Sequence, residues 1–207
     1  MANSYNIVSK IYGLLDILFF HKNSPRNILL SKIPNKEYKI LEIAIGTAEN
    51  SILLLKNNPQ LKITGIDSSE DMLKIAKSNI DKHNIKNIEL IKMDGTNMQF
   101  ENETFDFIII SLLLHELTEV ESNKILKGCM EILKNNGKIL ILEWEYPKKL
   151  IQKILFSVMS LLEYMANKEF NQFMKKDLNE YFKKNGLIIS NIDYGNYTKV
   201  IELKKEN

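Results

Sequence analysis

The sequence predicts an α/β fold in which a mostly parallel sheet carries helices on both faces. Two observations point there. Short apolar runs alternate with helix-length amphipathic runs through the middle of the chain. Small residues and carboxylates fall where those strands should end, the side of an open α/β sheet that binds ligands. A third observation bounds the answer: 207 residues, 44% of them apolar and 26% charged, suit one globular domain with its own core.

Lys39–Ile45 reads as the first strand and Ala48–Lys56 as the helix behind it. Leu61–Ile66 is the second strand. In Glu70–Lys82 the residues Leu73, Ala76 and Ile80 share one helical face. Ser68 or Ser69 can cap that helix, and Glu70 and Asp71 suit its positive end. Ile88–Lys92 and Phe105–Ser111 are the third and fourth strands. Thr118 and Glu121 have capping-box spacing ahead of a helix whose stripe is Ile125, Cys129, Ile132 and Leu133. Asn135-Asn136-Gly137 is expected to end that helix, and Lys138–Trp144 to be the fifth strand. A helical stretch, Lys148–Phe173, interrupts the alternation. Asp177–Asn185 is a further helix, stopped by Gly186. Leu187–Tyr194 and Thr198–Lys204 close the chain as a hairpin around Gly195-Asn196. Residues 1–207 therefore read as one domain, with 1–35 as a helical lid and 148–176 as a helical insertion capping a binding site.

Charge and composition exclude several classes. The 28 basic and 26 acidic residues leave a net charge of +2 with no basic stripe, so no nucleic-acid partner is expected. Cys129 is the only cysteine, which rules out an intrachain disulfide and fits a reducing cytoplasm. The apolar run Leu14–Phe20 is broken by Asp16 and lacks a small-residue cleavage site. No run approaches the roughly 20 apolar residues of a membrane span. Leu150–Met165 comes nearest, but contains Gln152, Lys153 and Glu163.

The chemistry-bearing residues follow the strands. Glu42-Ile43-Ala44-Ile45-Gly46-Thr47-Ala48 ends the first, and its small residues at 44, 46 and 48 let the backbone turn tightly and approach a ligand. Asp67 closes the second strand, where a carboxylate can accept both hydroxyl protons of a ribose. Met93-Asp94-Gly95 follows the third, and Asp94 can accept from an adenine amine. His115 lies just past the fourth strand, as a base, a substrate contact, or a solvent-facing or capping group beside Thr118. A dinucleotide fingerprint would need glycines at 44, 46 and 49, but the chain has Ala44 and Glu49, and Glu49 would repel a pyrophosphate. A zinc H-E-x-x-H motif would need a histidine at 119, where Glu119 stands.

In order and interval these motifs resemble those of the class I S-adenosylmethionine-dependent methyltransferases. Phe105-Asp106-Phe107-Ile108-Ile109-Ile110-Ser111 looks like that family's fourth-strand motif, and Ile132–Leu140 like its lead into the fifth. The resemblance spans about residues 12–144 and resumes near 177. Within the superfamily the ubiquinone/menaquinone C-methyltransferase-like group (methyltransferase type 11) is similar, through Ala44 and through Tyr12 in Ile11-Tyr12-Gly13-Leu14-Leu15-Asp16. Two positions depart from the pattern. Ala48 replaces a glycine, and Leu113-Leu114-His115-Glu116 replaces an Arg-Asn pair that the quinone enzymes carry.

The resemblance implies a Rossmann-like fold, with a seven-stranded, mostly parallel sheet and an antiparallel last strand. It implies S-adenosyl-L-methionine as cofactor and S-adenosyl-L-homocysteine as product. It assigns Tyr12, Glu42, Ala44, Ile45, Gly46, Thr47, Asp67, Ser68, Met72, Asp94, Gly95, Thr96, Ser111 and Leu112 to the cofactor site. From its position past the fourth strand, His115 is the best available base. The expected acceptor is a small, apolar molecule, on an O, N, S or C atom left open. Phe156 and Met159, in the apolar helix after the fifth strand, would line its pocket. The expected state is a cytoplasmic monomer or homodimer without membrane insertion. A membrane-peripheral lipid or quinone methyltransferase and a non-catalytic S-adenosylmethionine-binding module remain alternatives.

Overall fold

The structure, a computed structural model, describes residues 25–150, 152–153, 156–157 and 168–206. Tyr12, Met159 and most of the expected lid and insertion lie outside these residues.

Seven strands form one sheet in the order β3-β2-β1-β4-β5-β7-β6. They are β1 (Lys39–Ile43), β2 (Lys62–Asp67), β3 (Ile88–Lys92), β4 (Phe105–Ser111), β5 (Leu133–Trp144), β6 (Leu187–Tyr194) and β7 (Thr198–Lys205). The first five pair in parallel, whereas β7 runs antiparallel to both β5 and β6. The helices are α1 (Pro25–Ser31), α2 (Glu49–Asn57), α3 (Glu70–Lys82), α4 (Glu119–Ile132), α5 (Glu169–Met174) and α6 (Leu178–Lys184). The strand order reverses direction at β1 and β4, and that switch point opens the crevice at the carboxyl ends of the strands.

Strand parity sorts the core into two layers. Leu41, Ile43, Ile108, Ile110, Ile139 and Ile141 face α4 and α6, and pack with Ile125, Cys129 and Phe182. Ile40, Ile63, Ile109, Leu140 and Leu142 face the other way and pack with Leu29, Leu54 and Leu55 of α1 and α2. Apolar side chains on both faces are what a parallel sheet covered by helices requires. Two positions matter later. Glu42 shares the parity of Ile40 and so faces α2, whereas Glu143 shares the parity of Ile141 and faces the α4 side.

Local chemistry sets most boundaries. Ser69, not Ser68, caps α3, accepting from the Met72 N–H at 3.3 Å. Thr118 and Glu121 complete both halves of the capping box of α4. Asp177 caps α6 through the Asn179 and Glu180 N–H groups, and Gly186 follows α6 at φ +72°. The expected stop at Asn135-Asn136-Gly137 is corrected. α4 ends at Ile132, and Leu133 is already extended, paired with Phe105. The register then jumps to Phe107 with Lys138, so residues 134–137 bulge from the ladder. Tertiary pairing and the Lys134–Asp106 ion pair of 2.7 Å hold that bulge, which no local pattern specifies. Only short pieces of the expected 148–173 helix lie among the described residues, chiefly α5.

Candidate active site

The turn after β1 is strained in a regular way. Ala44, Gly46 and Ala48 all have left-handed backbone, at φ 52°, 55° and 65°. An alanine held there costs on the order of 1 kcal/mol, and such strain gathers at functional sites. A Cβ placed on Gly46 would meet only the Ala44 carbonyl oxygen, at 3.9 Å, so the turn is open on that side. The methyl of Ala48 goes elsewhere: it is fully buried among Ile45, Ile52, Ala76 and Ile80. Alanine in place of glycine therefore fills the space between α2 and α3 and leaves the open face unchanged. Gly65 admits the close pass of this turn over β2, since a Cβ there would lie 2.2 Å from Ile45 Cδ1.

Asp67 joins two loops. One carboxylate oxygen accepts the Gly46 N–H at 3.0 Å and the other accepts the Ser69 N–H at 2.8 Å. The side chain is only 8% exposed and ties the β1 turn to the start of α3. Asp94, in contrast, is exposed. It caps the short 3₁₀ turn Gly95–Asn97 through the Thr96 N–H at 2.8 Å. β2 and β3 place it on the same edge as Asp67, because Asp67 pairs with Lys92. Met72 is half-buried on the first turn of α3, and Ser68 is exposed beside it.

Glu42 is buried, at 1% exposure. One carboxylate oxygen accepts from Asn50 Nδ2 at 2.8 Å, and the other accepts from the Ser51 hydroxyl. Asn50 also donates to Ser111 Oγ at 3.1 Å and accepts from Arg26 Nε at 3.1 Å. Asn50 thus joins Glu42 to Ser111 and bridges the ends of β1 and β4. Burial raises the Glu42 pKa above the ordinary glutamate value, against the opposing hydrogen bonds from Ser51 and Asn50. A raised folded-state pKa contributes stability below the unfolded value and loses it as pH climbs through the folded one. Relative to Glu42→Gln, the native protein should therefore lose stability as pH rises from about 4.5. Paired urea melts across that range check the sign, and a native protein that gains on the variant with rising pH would refute it.

Past β4 the chain turns sharply at Leu112, which has φ 50°. The 3₁₀ turn Leu114–Glu116 follows and carries His115. His115 is 2% exposed, so the solvent-facing reading is corrected. Its Nδ1 lies 2.7 Å from Oε2 of Glu143, which is fully buried. The same carboxylate accepts the Leu114 N–H at 2.8 Å, the Trp144 N–H at 3.2 Å and, more weakly, the His115 N–H at 3.4 Å. Aromatic rings surround the pair. Phe170 and Trp144 stand edge-on to His115, with ring centroids at 5.6 and 6.4 Å. Phe156 and Tyr197 stack at 6.5 Å behind them, and Phe156, expected on the acceptor side, is 2% exposed.

The structure thus links Asp67 with Gly46 and Ser69, links Glu42 with Ser111 through Asn50, and sets Asp94 on the same edge as Asp67. It leaves Tyr12 undescribed. Sequence reasoning missed Arg26, Asn50, Ser51 and Glu143. A signal existed for Glu143, an acid inside the apolar run Ile139–Trp144 at a core-facing parity.

Strand order, turn and edge together define the class I methyltransferase fold. Residues 40–137 match the family model of a methyltransferase domain. A demethylmenaquinone methyltransferase of Thermotoga maritima is 34% identical over 105 residues, 51% of this chain and 43% of that protein. Another, from Staphylococcus epidermidis, is 29% identical over 74% of this chain and 63% of its own length. The chain therefore spans about half to under two thirds of the curated relatives it matches. The crystal structure of a SAM-dependent methyltransferase from Aquifex aeolicus superposes with TM-score 0.69 at 19% identity, covering 94% of this chain and 96% of that one. Residues 40–137 are thus similar to a methyltransferase domain, parts of the chain are similar to demethylmenaquinone methyltransferases, and the chain shares the fold of class I S-adenosylmethionine-dependent methyltransferases.

Proposed function

We propose that the chain binds S-adenosylmethionine across the carboxyl ends of β1 to β4 and transfers its methyl group to a small, largely apolar acceptor. The observation that carries this reading is the left-handed turn Ala44–Ala48, open above Gly46 and bordered by Asp67, with Asp94 on the same edge. The cofactor is cationic at sulfur and at its amino group, and a carboxylate rim suits that charge. Once bound, it brings an activated methyl group, so the protein's task is to position the reactants.

The turn, with Ile45 and Thr47, would take the methionine part, and Glu42 would brace it through Asn50. A carboxylate has about four acceptor positions, so Asp67 can accept ribose hydroxyls while it holds Gly46 and Ser69. Asp94 would accept from the adenine amine, with Met72 on the ring face and Ser68, Gly95 and Thr96 at its border. Ser111 and Leu112 would stand beside the methyl.

On the acceptor side, the aromatic cluster of Trp144, Phe156, Phe170 and Tyr197 supports a flat, apolar partner. The curated relatives' name points the same way, toward a quinone-like acceptor. The lone Cys129 supports a cytoplasmic setting, and the protein would act as a monomer or homodimer. A membrane-peripheral version has one observation behind it. Tyr146 and Leu150 are 48% and 74% exposed, beside Lys148 and Lys149. Among the described residues no helix is long and apolar enough to cross a membrane. Flotation with anionic liposomes tests surface binding.

Titration calorimetry should show micromolar-scale binding of S-adenosylhomocysteine with a rise in melting temperature. Neither heat nor thermal shift with cofactor or product would end the methyltransferase reading.

A further inference from the structure

The carboxyl edge of the sheet carries an apolar and basic face that the proposed cofactor site leaves unused. β5 and β7 pair through Trp144 and Thr198, so the tip of the β6–β7 hairpin stands beside the segment that leaves β5. The Glu145 N–H donates to the Tyr197 carbonyl at 2.8 Å and holds the two together. Around this joint Tyr146, Leu150 and Tyr194 are exposed, Tyr194 by 56%. Lys148 Nζ lies 5.5 Å over the Tyr194 ring, so segment and hairpin tip share one patch.

The charge of this patch is uncompensated. Residues 146–153 hold three lysines and no acid. Lys148, Lys149 and Lys153 are exposed, and no carboxylate among the described residues pairs with them. The neighbouring acids are engaged elsewhere: Glu145 pairs with Lys199 at 3.0 Å, and Asp193 with Lys32. Exposed tyrosine and leucine rimmed by lysine is the composition of a surface that sits among anionic lipid headgroups. Tyrosine suits that depth, with an apolar ring and a polar tip. A second copy docked through the same face would instead gather like charges.

We propose that this face docks on an anionic bilayer surface, Tyr146, Leu150 and Tyr194 among the headgroups and the three lysines on lipid phosphates, so that the carboxyl ends of the strands are turned toward the lipid. The docking stands on the patch itself and holds whether or not the methyltransferase reading does. What rests on that reading is the use of the orientation, which would bring the acceptor side next to an apolar phase. Tyr146 meets Phe156 at 5.4 Å between ring centroids, and Phe156 lies 6.3 Å from Trp144, so the exposed patch continues into the buried aromatic cluster. Each lysine near such a surface contributes about a fivefold factor in partitioning, so three of them with three apolar side chains give reversible attachment.

Two measurements test it. The first is flotation of the full chain with vesicles of phosphatidylglycerol and phosphatidylcholine in equal parts, and with phosphatidylcholine alone. Binding should favour the anionic vesicles and fall as salt is raised. Lys149→Gln and Lys153→Gln should each lower the bound-to-free ratio by about fivefold. Leu150→Ser and Tyr194→Ser should lower it too. Lys82→Gln combined with Lys86→Gln removes as much charge as the first pair, at the β3 edge of the sheet, and should leave binding nearly unchanged. No binding to anionic vesicles, or an equal loss in that control, overturns the proposal. The second measurement uses Trp144, the only tryptophan in the chain, which stands behind Phe156 and Tyr146. A nitroxide on the lipid headgroup should dim its fluorescence on the anionic vesicles. Attachment without dimming would put another face on the lipid and overturn the proposal as well. Calorimetry with S-adenosylhomocysteine on the same protein separates the two readings: vesicle docking without binding of that ligand supports the surface and ends the methyltransferase reading alone.

Discussion

Asp67→Ala is expected to weaken S-adenosylhomocysteine binding by about 1.5–3 kcal/mol, a rise in Kd of roughly ten- to a hundred-and-fifty-fold. The loss has two sources. The ribose would lose a charged acceptor, and the Gly46 N–H would lose the group that pins the open turn, 3.0 Å away. The Ser69 N–H, at the cap of α3, loses its acceptor too. The sheet should survive, because Asp67 is the last residue of β2 and no core side chain depends on it. Calorimetry on the variant, with circular dichroism to confirm folding, reads the effect. An unchanged Kd would move the ribose site away from β2.

Phe170→Ala should be the most destabilising single truncation near the site, at about 3–5 kcal/mol, or roughly 6–20 °C in Tm for a chain of this size. Phe170 is fully buried on α5, edge-on to His115 and beside Trp144, so its removal opens a cavity between α5 and the Leu114–Glu116 turn. With the acceptor on the proposed side, the variant should raise the acceptor KM more than the cofactor Kd. A loss of stability below about 1 kcal/mol would mean that the cluster collapses around the gap. Equal effects on both ligands would place the aromatic cluster under the whole site.

The two experiments probe parts of the site that differ in how legible they are from sequence. The positions of Asp67, Gly46 and Asp94 at the strand ends were legible without a structure, because each follows the change from apolar run to turn. The boundaries of α3, β3 and β4 were legible for the same reason: they depend on nearest neighbours, caps and period. Glu143 was not found, although it ties together its own cluster as Asp67 ties the β1 turn to α3. Its role depends on which face of β5 is turned toward the Leu114–Glu116 turn, and on a partner 28 residues away. Glu42 was legible as a position, but its partners were not. Its place in the motif suggested a ligand contact, whereas its parity with Ile40 turns it into α2, where Asn50 and Ser51 occupy both oxygens.

By itself the sequence determined the alternation of strands and helices, the caps, and the edge of the sheet on which the carboxylates gather, since all of these follow from local pattern and chain direction. Only the tertiary structure decided where β5 begins, because residue 133 chooses between helix and strand by pairing with Phe105 across the sheet. It alone decided that Ala48 packs inward, that Asn50 spans β1 and β4, and that a carboxylate in β5 holds a histidine after β4. Each of these is a contact between segments distant in the chain, and burial selects among locally equal alternatives only once the layers have closed.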